Sequence, residues 1–121
     1  MNIKFLGGAL YSYWPLDMNM PRNKKEDVER AIKNMRRLSK ITEENDVTLG
    51  MEVLNCYETY MMNTCSEAID FVKAVHSSQV NIMLGTFHMN IEENKYNSGY
   101  TASRSKIGAF PYWRTKYVSS W

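Results

Sequence analysis

The stretch from Val47 to Glu58, Val-Thr-Leu-Gly-Met-Glu-Val-Leu-Asn-Cys-Tyr-Glu, predicts a buried strand followed by a loop. Successive side chains of a strand point to opposite faces. One face is then apolar throughout and consists of Val47, Leu49, Met51 and Val53. The other face is small until Glu52, near the C-terminal end. That combination is typical of the inside of a (β/α) barrel, whose active sites lie at the C-terminal ends of the strands. A strand-end carboxylate in water would show the same alternation, so both interpretations stay open.

Two amphipathic helices flank this strand. The first spans Asn23 to Asn45, with Asn23 as its cap and Glu26 at the capping-box position. Its predicted apolar stripe consists of Val28, Ala31, Ile32, Met35, Leu38 and Ile41. The second begins after Thr64, with Glu67 at the box position. Its predicted buried side consists of Ala68, Ile69, Phe71, Val72 and Val75.

Two further strands are predicted, over Ile3–Leu10 and Gln79–Leu84. The order strand, helix, strand, helix, strand indicates an α/β fold, a βαβαβ segment with parallel pairing and right-handed crossovers. Parity places Gly85 at the inward end of the third strand, in the position that Glu52 has on its neighbour. His88 is expected in the loop that follows.

Length and composition narrow the class of protein. The chain has 121 residues, whereas a complete eight-unit barrel needs ~200 or more. Two cysteines do not make a disulfide framework, and no apolar run reaches the ~18 residues of a membrane span. We therefore expect a cytoplasmic chain with no signal peptide and no membrane partner. The lysines and arginines of the first helix favour a solvated face over a nucleic-acid surface.

The charge distribution changes near Asn94. All 13 acidic residues lie at or before Glu93, whereas the segment 94–121 has five basic residues and no acidic one. We predict two parts: residues 1–93, which fold as part of a barrel, and a divergent tail, residues 94–121. An acidic partner for this basic, aromatic tail is a further, weaker interpretation.

Three segments together resemble the D-tagatose/D-allulose (psicose) 3-epimerase family of xylose isomerase-like TIM barrels. They are Gly-Gly-Ala-Leu-Tyr-Ser-Tyr-Trp-Pro at 7–15, Met-Glu-Val-Leu-Asn-Cys-Tyr-Glu at 51–58, and Met-Leu-Gly-Thr-Phe-His-Met-Asn-Ile-Glu-Glu at 83–93. The resemblance covers about residues 3–93. It implies a partial TIM (β/α)8 barrel of about three βα units, equivalent to the family's fourth to sixth strands.

The resemblance also implies a chemistry. Enzymes of this family hold a ketose on Mn²⁺ or Co²⁺, and two glutamates remove and return the proton on C3. By resemblance Glu52 is one of that pair and also a metal ligand. Glu58 and His88 would bind hydroxyl groups of the sugar, and Trp14 would line the pocket. The implied substrates are D-allulose, D-tagatose and D-fructose.

Several family residues are missing from this sequence. Gly85 stands where the family has an Asp ligand, and Cys56 where it usually has Arg. The second catalytic glutamate and the histidine ligand have no counterpart. We therefore predict an inactive or incomplete epimerase fragment that can self-associate through open strand edges. The alternative is a non-catalytic remnant that acts at most as a structural unit. A related barrel endonuclease is disfavoured, since such sites are rich in histidine and this chain has two.

The tail itself suggests a shifted reading frame. With permitted codons, the frame one base on over Tyr100 to Arg114 reads Ile-Arg-Gln-Ala-Gly-Ala-Arg-Leu-Gly-His-Phe-His-Ile-Gly-Glu. That peptide resembles the family's next segment, including its metal-binding histidine, which would arise across Pro111 and Tyr112. We predict that the tail is a frameshifted reading of family sequence.

Overall fold

Three parallel strands and three helices make up the part of the chain that the computed structural model describes, residues 2–92. The elements are β1 (Phe5–Gly8), α1 (Lys24–Glu44), β2 (Thr48–Val53), α2 (Cys65–Val75), β3 (Val80–Leu84) and α3 (Thr86–Glu92). The sheet order is β1-β2-β3, with both pairs parallel. The predicted α/β class and βαβαβ order are confirmed. The predicted tail, 94–121, lies outside the described residues.

The central strand β2 has the two different faces that its sequence predicts. Leu49, Met51 and Val53 are at most 1% exposed and lie in the core shared with α1 and α2. On the opposite face, the side chains of Phe5 and Met83 cover Gly50. A Cβ atom at Gly50 would lie 2.5 Å from Cζ of Phe5 and 2.7 Å from Sδ of Met83. Glycine therefore leaves the space that the neighbouring strands fill.

The α1 helix begins at the predicted cap but differs from the prediction in detail. The Asn23 side chain accepts a hydrogen bond from the Glu26 N–H, while the Asn23 N–H donates to the Asp27 carboxylate. The reciprocal partner is thus Asp27 in place of Glu26. The predicted stripe is wrong at its C-terminal end, because Ile41 is 58% exposed. The buried positions there are Ser39 and Thr42, whose hydroxyls donate to helix carbonyls and so are satisfied without water.

The α2 helix carries the capping box predicted at Thr64 and Glu67, with both reciprocal hydrogen bonds present. The helix ends at His76, whose backbone is left-handed with φ of 59°. Its buried side consists of Cys65, Ala68, Phe71, Val72 and Val75. Within the described residues, no helix is both long and apolar enough to cross a membrane.

The segment after β3 is a helix, so the loop predicted around His88 is wrong. α3 begins directly after Gly85, whose carbonyl accepts the Met89 N–H at 3.1 Å. Met89 is 2% exposed. The segment has only seven residues, which is too short for its sequence to show helical periodicity. The register is also corrected, because Glu52 pairs with Met83. Gly85 lies two residues after Met83. It therefore belongs to the same face of the sheet as Glu52, but is two residues further along the strand direction.

Candidate active site

Glu52 is the next-to-last residue of β2, and its side chain is half-buried. Burial raises the pKa of its carboxyl above the ordinary value, with a smaller opposing effect from His88 and a further increase from Glu58. Its carbonyl oxygen accepts a 2.8 Å hydrogen bond from the hydroxyl of Tyr11. The strand therefore presents a carboxyl that holds its proton more readily than a glutamate in water does, on a backbone that the β1–α1 loop holds in place.

Asn55 joins the loop after β2 to α3. Its backbone N–H donates to Nδ1 of His88 at 3.1 Å, and its side-chain amide lies 2.9 Å from the same nitrogen. The amide also donates to Oε1 of Glu58 at 3.3 Å. Nδ1 of His88 is 4.0 Å from that carboxylate oxygen. The structure thus brings Glu58 and His88 together, and both act electrostatically on Glu52.

Trp14 is placed differently from these three residues. It lies in the loop after β1, and 66% of its surface is exposed. The described residues therefore do not enclose its ring. Its predicted place in a pocket wall stays a prediction.

The two positions that differ from the family lie beside the cluster. A Cβ atom on Gly85 would be 3.1 Å from Cδ2 and 4.0 Å from Nε2 of His88. A side chain there would thus meet the histidine ring. Cys56 is exposed, and its N–H donates to the Glu92 carboxylate. A hydrogen bond with the same carboxylate raises the pKa of the Cys56 thiol, so this position offers no cation where the family usually has arginine.

The described residues do not fit a divalent metal. Within residues 2–92, no group of three or more His, Cys, Asp or Glu side chains is arranged to hold an ion. Mn²⁺ and Co²⁺ need several oxygen or nitrogen ligands. Glu52 supplies one carboxylate, Gly85 supplies no side-chain ligand, and Nδ1 of His88 already accepts hydrogen bonds from Asn55.

A cavity of about 240 Å³ lies between the loop after β1, helix α1 and the loop after β2. It is lined by Leu10, Tyr11, Ser12, Tyr13, Asp27, Arg30, Ala31, Asn34, Tyr60 and Met61. The hydroxyl of Tyr60 donates to Asp27 at 2.7 Å, and Arg30 pairs with the same carboxylate at 2.9 Å. That hydrogen bond from Tyr60 is the largest cause lowering the pKa of Asp27. Glu52, Glu58 and His88 are not among the lining residues, whereas Tyr11, which donates to the Glu52 carbonyl, is one of them.

The parallel sheet with Glu52 near the C-terminal end of β2 is compatible with a barrel, and sequence comparison identifies which family of barrels it is. The model of the xylose isomerase-like TIM barrel family matches residues 3–117. The chain belongs to that family. The match runs past residue 93, so it includes part of the segment that we predicted to diverge. The boundary at residue 93 stays a prediction.

Two of the similar curated proteins are D-psicose 3-epimerases. The D-psicose 3-epimerase of Enterocloster bolteae is 55% identical over 108 residues, which are 89% of this chain and 36% of that enzyme. The D-psicose 3-epimerase of Ruminiclostridium cellulolyticum is 43% identical over 89% of this chain and 37% of its own length. The chain therefore spans little more than a third of these relatives.

Solved structures give the same result. A crystal structure of D-psicose 3-epimerase in the presence of D-fructose has a TM-score of 0.85 and 37% identity, covering 88% of this chain and 37% of that one. A structure of the Clostridium cellulolyticum enzyme with D-tagatose has a TM-score of 0.84 and 44% identity, covering 86% and 36%. The predicted resemblance to ketose 3-epimerases is confirmed.

Sequence reasoning missed Tyr11 and Asn55 as parts of the cluster. Both residues are inside the quoted motifs, yet nothing in the pattern of residue types separates a buried hydrogen-bonding side chain from a loop residue. Tyr11 is 6% exposed and Asn55 2%. A polar side chain this deeply buried needs partners, and here the partners include Glu52, Glu58 and His88, the predicted site residues.

Proposed function

We propose that this chain is the part of a ketose 3-epimerase barrel that carries one of the two acid/base groups, Glu52. The observation that carries the proposal is the position of that carboxyl: half-buried, at the C-terminal end of β2, with its pKa raised mainly by burial. A buried acid with a raised pKa in a cleft is a common mark of proton transfer. The epimerase relatives supply the class of reaction.

In the proposed reaction Glu52 exchanges the proton on C3 of a ketohexose. The C3–H bond breaks, the proton goes to an oxygen of the Glu52 carboxylate, and the electron pair stays on the sugar. A raised pKa makes this carboxylate a stronger base at neutral pH. Glu58 and His88 would orient the sugar through its hydroxyl groups. The second carboxyl, which would return a proton to the opposite face, is not among the described residues.

Several finer assignments belong to the same proposal. The strands β1, β2 and β3 would be the fourth, fifth and sixth of an eight-stranded barrel. The substrate would be D-allulose, D-tagatose or D-fructose, and the compartment the cytoplasm. The cofactor would be Mn²⁺ or Co²⁺, bound only where further chain supplies the ligands that residues 2–92 lack.

The isolated chain of 121 residues should therefore turn over no ketose at a rate near that of its relatives. Gly85→Asp alone should not restore activity, because the second acid/base group would still be missing. Stable catalysis in the purified chain, abolished by Glu52→Gln and dependent on Mn²⁺, would overturn this part of the proposal.

A graft tests the positive part. Residues 3–92 replace the aligned segment of the Enterocloster bolteae enzyme, so that the host supplies the remaining barrel. We expect the graft with Gly85→Asp to epimerise a ketose, and the same graft with Glu52→Gln to lose at least ~100-fold in kcat. Glu29→Gln is the matched control, since Glu29 is exposed on α1. Equal activity of the Glu52→Gln and Glu29→Gln grafts would refute the role of Glu52.

The second candidate is a non-catalytic structural unit, favoured by Gly85 and by the lack of a metal-holding group in residues 2–92. It predicts a graft with Gly85→Asp that folds, as judged by circular dichroism and melting, but has no turnover. The graft therefore separates the two candidates.

A further inference from the structure

Asn55 links the loop after β2 to His88 of α3, and the orientation of its side-chain amide is fixed. Its side-chain oxygen accepts the Tyr57 N–H at 3.0 Å. An N–H group can only donate, so this contact identifies which end of the amide is oxygen. The amide nitrogen must therefore point the other way, towards His88 and Glu58.

Two donors then converge on one nitrogen of His88. The Asn55 backbone N–H lies 3.1 Å from Nδ1, and the Asn55 amide nitrogen lies 2.9 Å from it. Because both groups donate, Nδ1 must supply a lone pair. In a neutral imidazole the proton then sits on Nε2.

The second amide hydrogen of Asn55 is donated to Glu58, whose Oε1 lies 3.3 Å from the amide nitrogen. The single amide thus separates a carboxylate and an imidazole that are 4.0 Å apart. Asn55 is 2% exposed, so water does not replace these contacts easily. Its geometry leaves only Nε2 of His88 available to a ligand, and Nε2 lies next to the Cβ position of residue 85.

We propose that Asn55 is a positioning residue that holds His88 as the Nε2–H tautomer, so that this ring donates a hydrogen bond to an oxygen of the bound ligand. The ligand class is one with hydroxyl or carbonyl oxygens as acceptors. The part of the inference that concerns a sugar rests on the function proposed above. The part that concerns the tautomer rests on the geometry of Asn55 and His88 alone.

The tautomer is measured directly by long-range ¹H–¹⁵N correlation on the full chain labelled with ¹⁵N-histidine. The chain has two histidines, and His76 is an internal control because it is exposed at the end of α2. We expect the His88 signals of a protonated Nε2 and an unprotonated, hydrogen-bonded Nδ1. A wild-type spectrum with a protonated Nδ1 overturns the inference, without reference to any variant.

The isosteric variant Asn55→Asp replaces the side-chain donor beside Nδ1 with a carboxylate acceptor of the same size, while the backbone N–H of residue 55 stays in place. A carboxylate that close to Nδ1 favours a proton on that nitrogen. We expect the Nδ1 resonance of His88 to shift towards the protonated position while His76 does not change. An unaltered His88 spectrum in the folded variant would show that the Asn55 side-chain amide does not set the tautomer, and overturns the inference.

In the graft with Gly85→Asp, Asn55→Asp should raise KM for the ketose by about tenfold with a smaller change in kcat, the effect of one lost hydrogen bond in binding. If Glu52→Gln leaves graft turnover unchanged, the proposed function fails while the tautomer measurement still stands. If KM and the tautomer are both unaffected by Asn55→Asp, the positioning role fails.

Discussion

The hydroxyl of Tyr11 donates a 2.8 Å hydrogen bond to the carbonyl oxygen of Glu52, across 41 positions of sequence. Its ring is buried and packs on Phe71 at 5.8 Å between centroids. Burial raises the pKa of Tyr11 further above the physiological range, so the hydroxyl stays a donor. One side chain thereby connects the loop after β1, the end of β2 and helix α2.

Removing that hydroxyl should destabilise the fold. We expect Tyr11→Phe to lower the free energy of unfolding by ~1–2 kcal/mol, because the Glu52 carbonyl loses its partner while the ring still packs. Urea titration of the wild type and the variant measures the difference. Tyr57→Phe is the control, since Tyr57 is 80% exposed. Equal losses in the two variants would show that the buried hydrogen bond contributes nothing special.

The raised pKa of Glu52 predicts how the stability of the fold depends on pH. Below the pKa of the unfolded chain, ~4.3, the carboxyl is protonated in both states, and its contribution to stability is fully present. As pH rises through the higher pKa of the folded state, that contribution is lost, because the ionised form is disfavoured by burial.

We therefore expect Glu52→Gln to become more stable relative to wild type between pH 4 and pH 7. Urea midpoints at the two pH values measure this, with Glu29→Gln as the matched control on exposed α1. A stability difference for Glu52→Gln that is the same at both pH values, or that falls as pH rises, would contradict the cited shift.

Self-association is the third expectation. Within the described sheet β1 and β3 are the outer strands, and Leu6 on β1 is 48% exposed. Exposed edges and apolar surface favour association. We expect oligomers in sedimentation at about 50 µM, reduced by Leu6→Lys. Met18→Lys is the control, since Met18 is 71% exposed in a loop. A monomeric wild-type chain with a sharp cooperative melt would rule the expectation out.

The fourth prediction concerns the segment 94–121, which we propose to be a frameshifted reading of epimerase sequence. The nucleotide sequence of the gene decides it. The frame one base on from about codon 94 should read as family sequence, with a metal-binding histidine across the codons of Pro111 and Tyr112. A shifted frame without that resemblance would refute the proposal.

Alternation and capping chemistry made much of the fold predictable. Leu49, Met51 and Val53 alternate with Gly50 and Glu52, and this alternation predicted which face of β2 lies in the apolar core. Thr64 and Glu67 marked the start of α2 because both partners of the box are local. The short helix α3 could not be predicted, since seven residues give too short a pattern to show helical periodicity.

The sequence predicted some of the residues that belong to the candidate site, but not how they are arranged. Glu52, Glu58 and His88 came from motifs, and the structure places the last two together. Asn55 was missed, because its role arises from contacts across 33 positions of sequence that no local pattern shows. The register also required the structure, since parity gives the face of Gly85 but not its level relative to Glu52.

The most direct test of the central claim, that Glu52 exchanges the C3 proton of a ketose, is deuterium incorporation at C3 in D₂O. The graft with Gly85→Asp is incubated separately with D-fructose and with D-allulose, which differ in configuration at C3, and each sugar is analysed by NMR. We predict that Glu52→Gln lowers the rate of deuterium incorporation at C3 at least ~100-fold for the epimer whose proton Glu52 removes, and that Glu29→Gln changes neither rate. Incorporation that persists undiminished for both epimers in the Glu52→Gln graft would contradict the account.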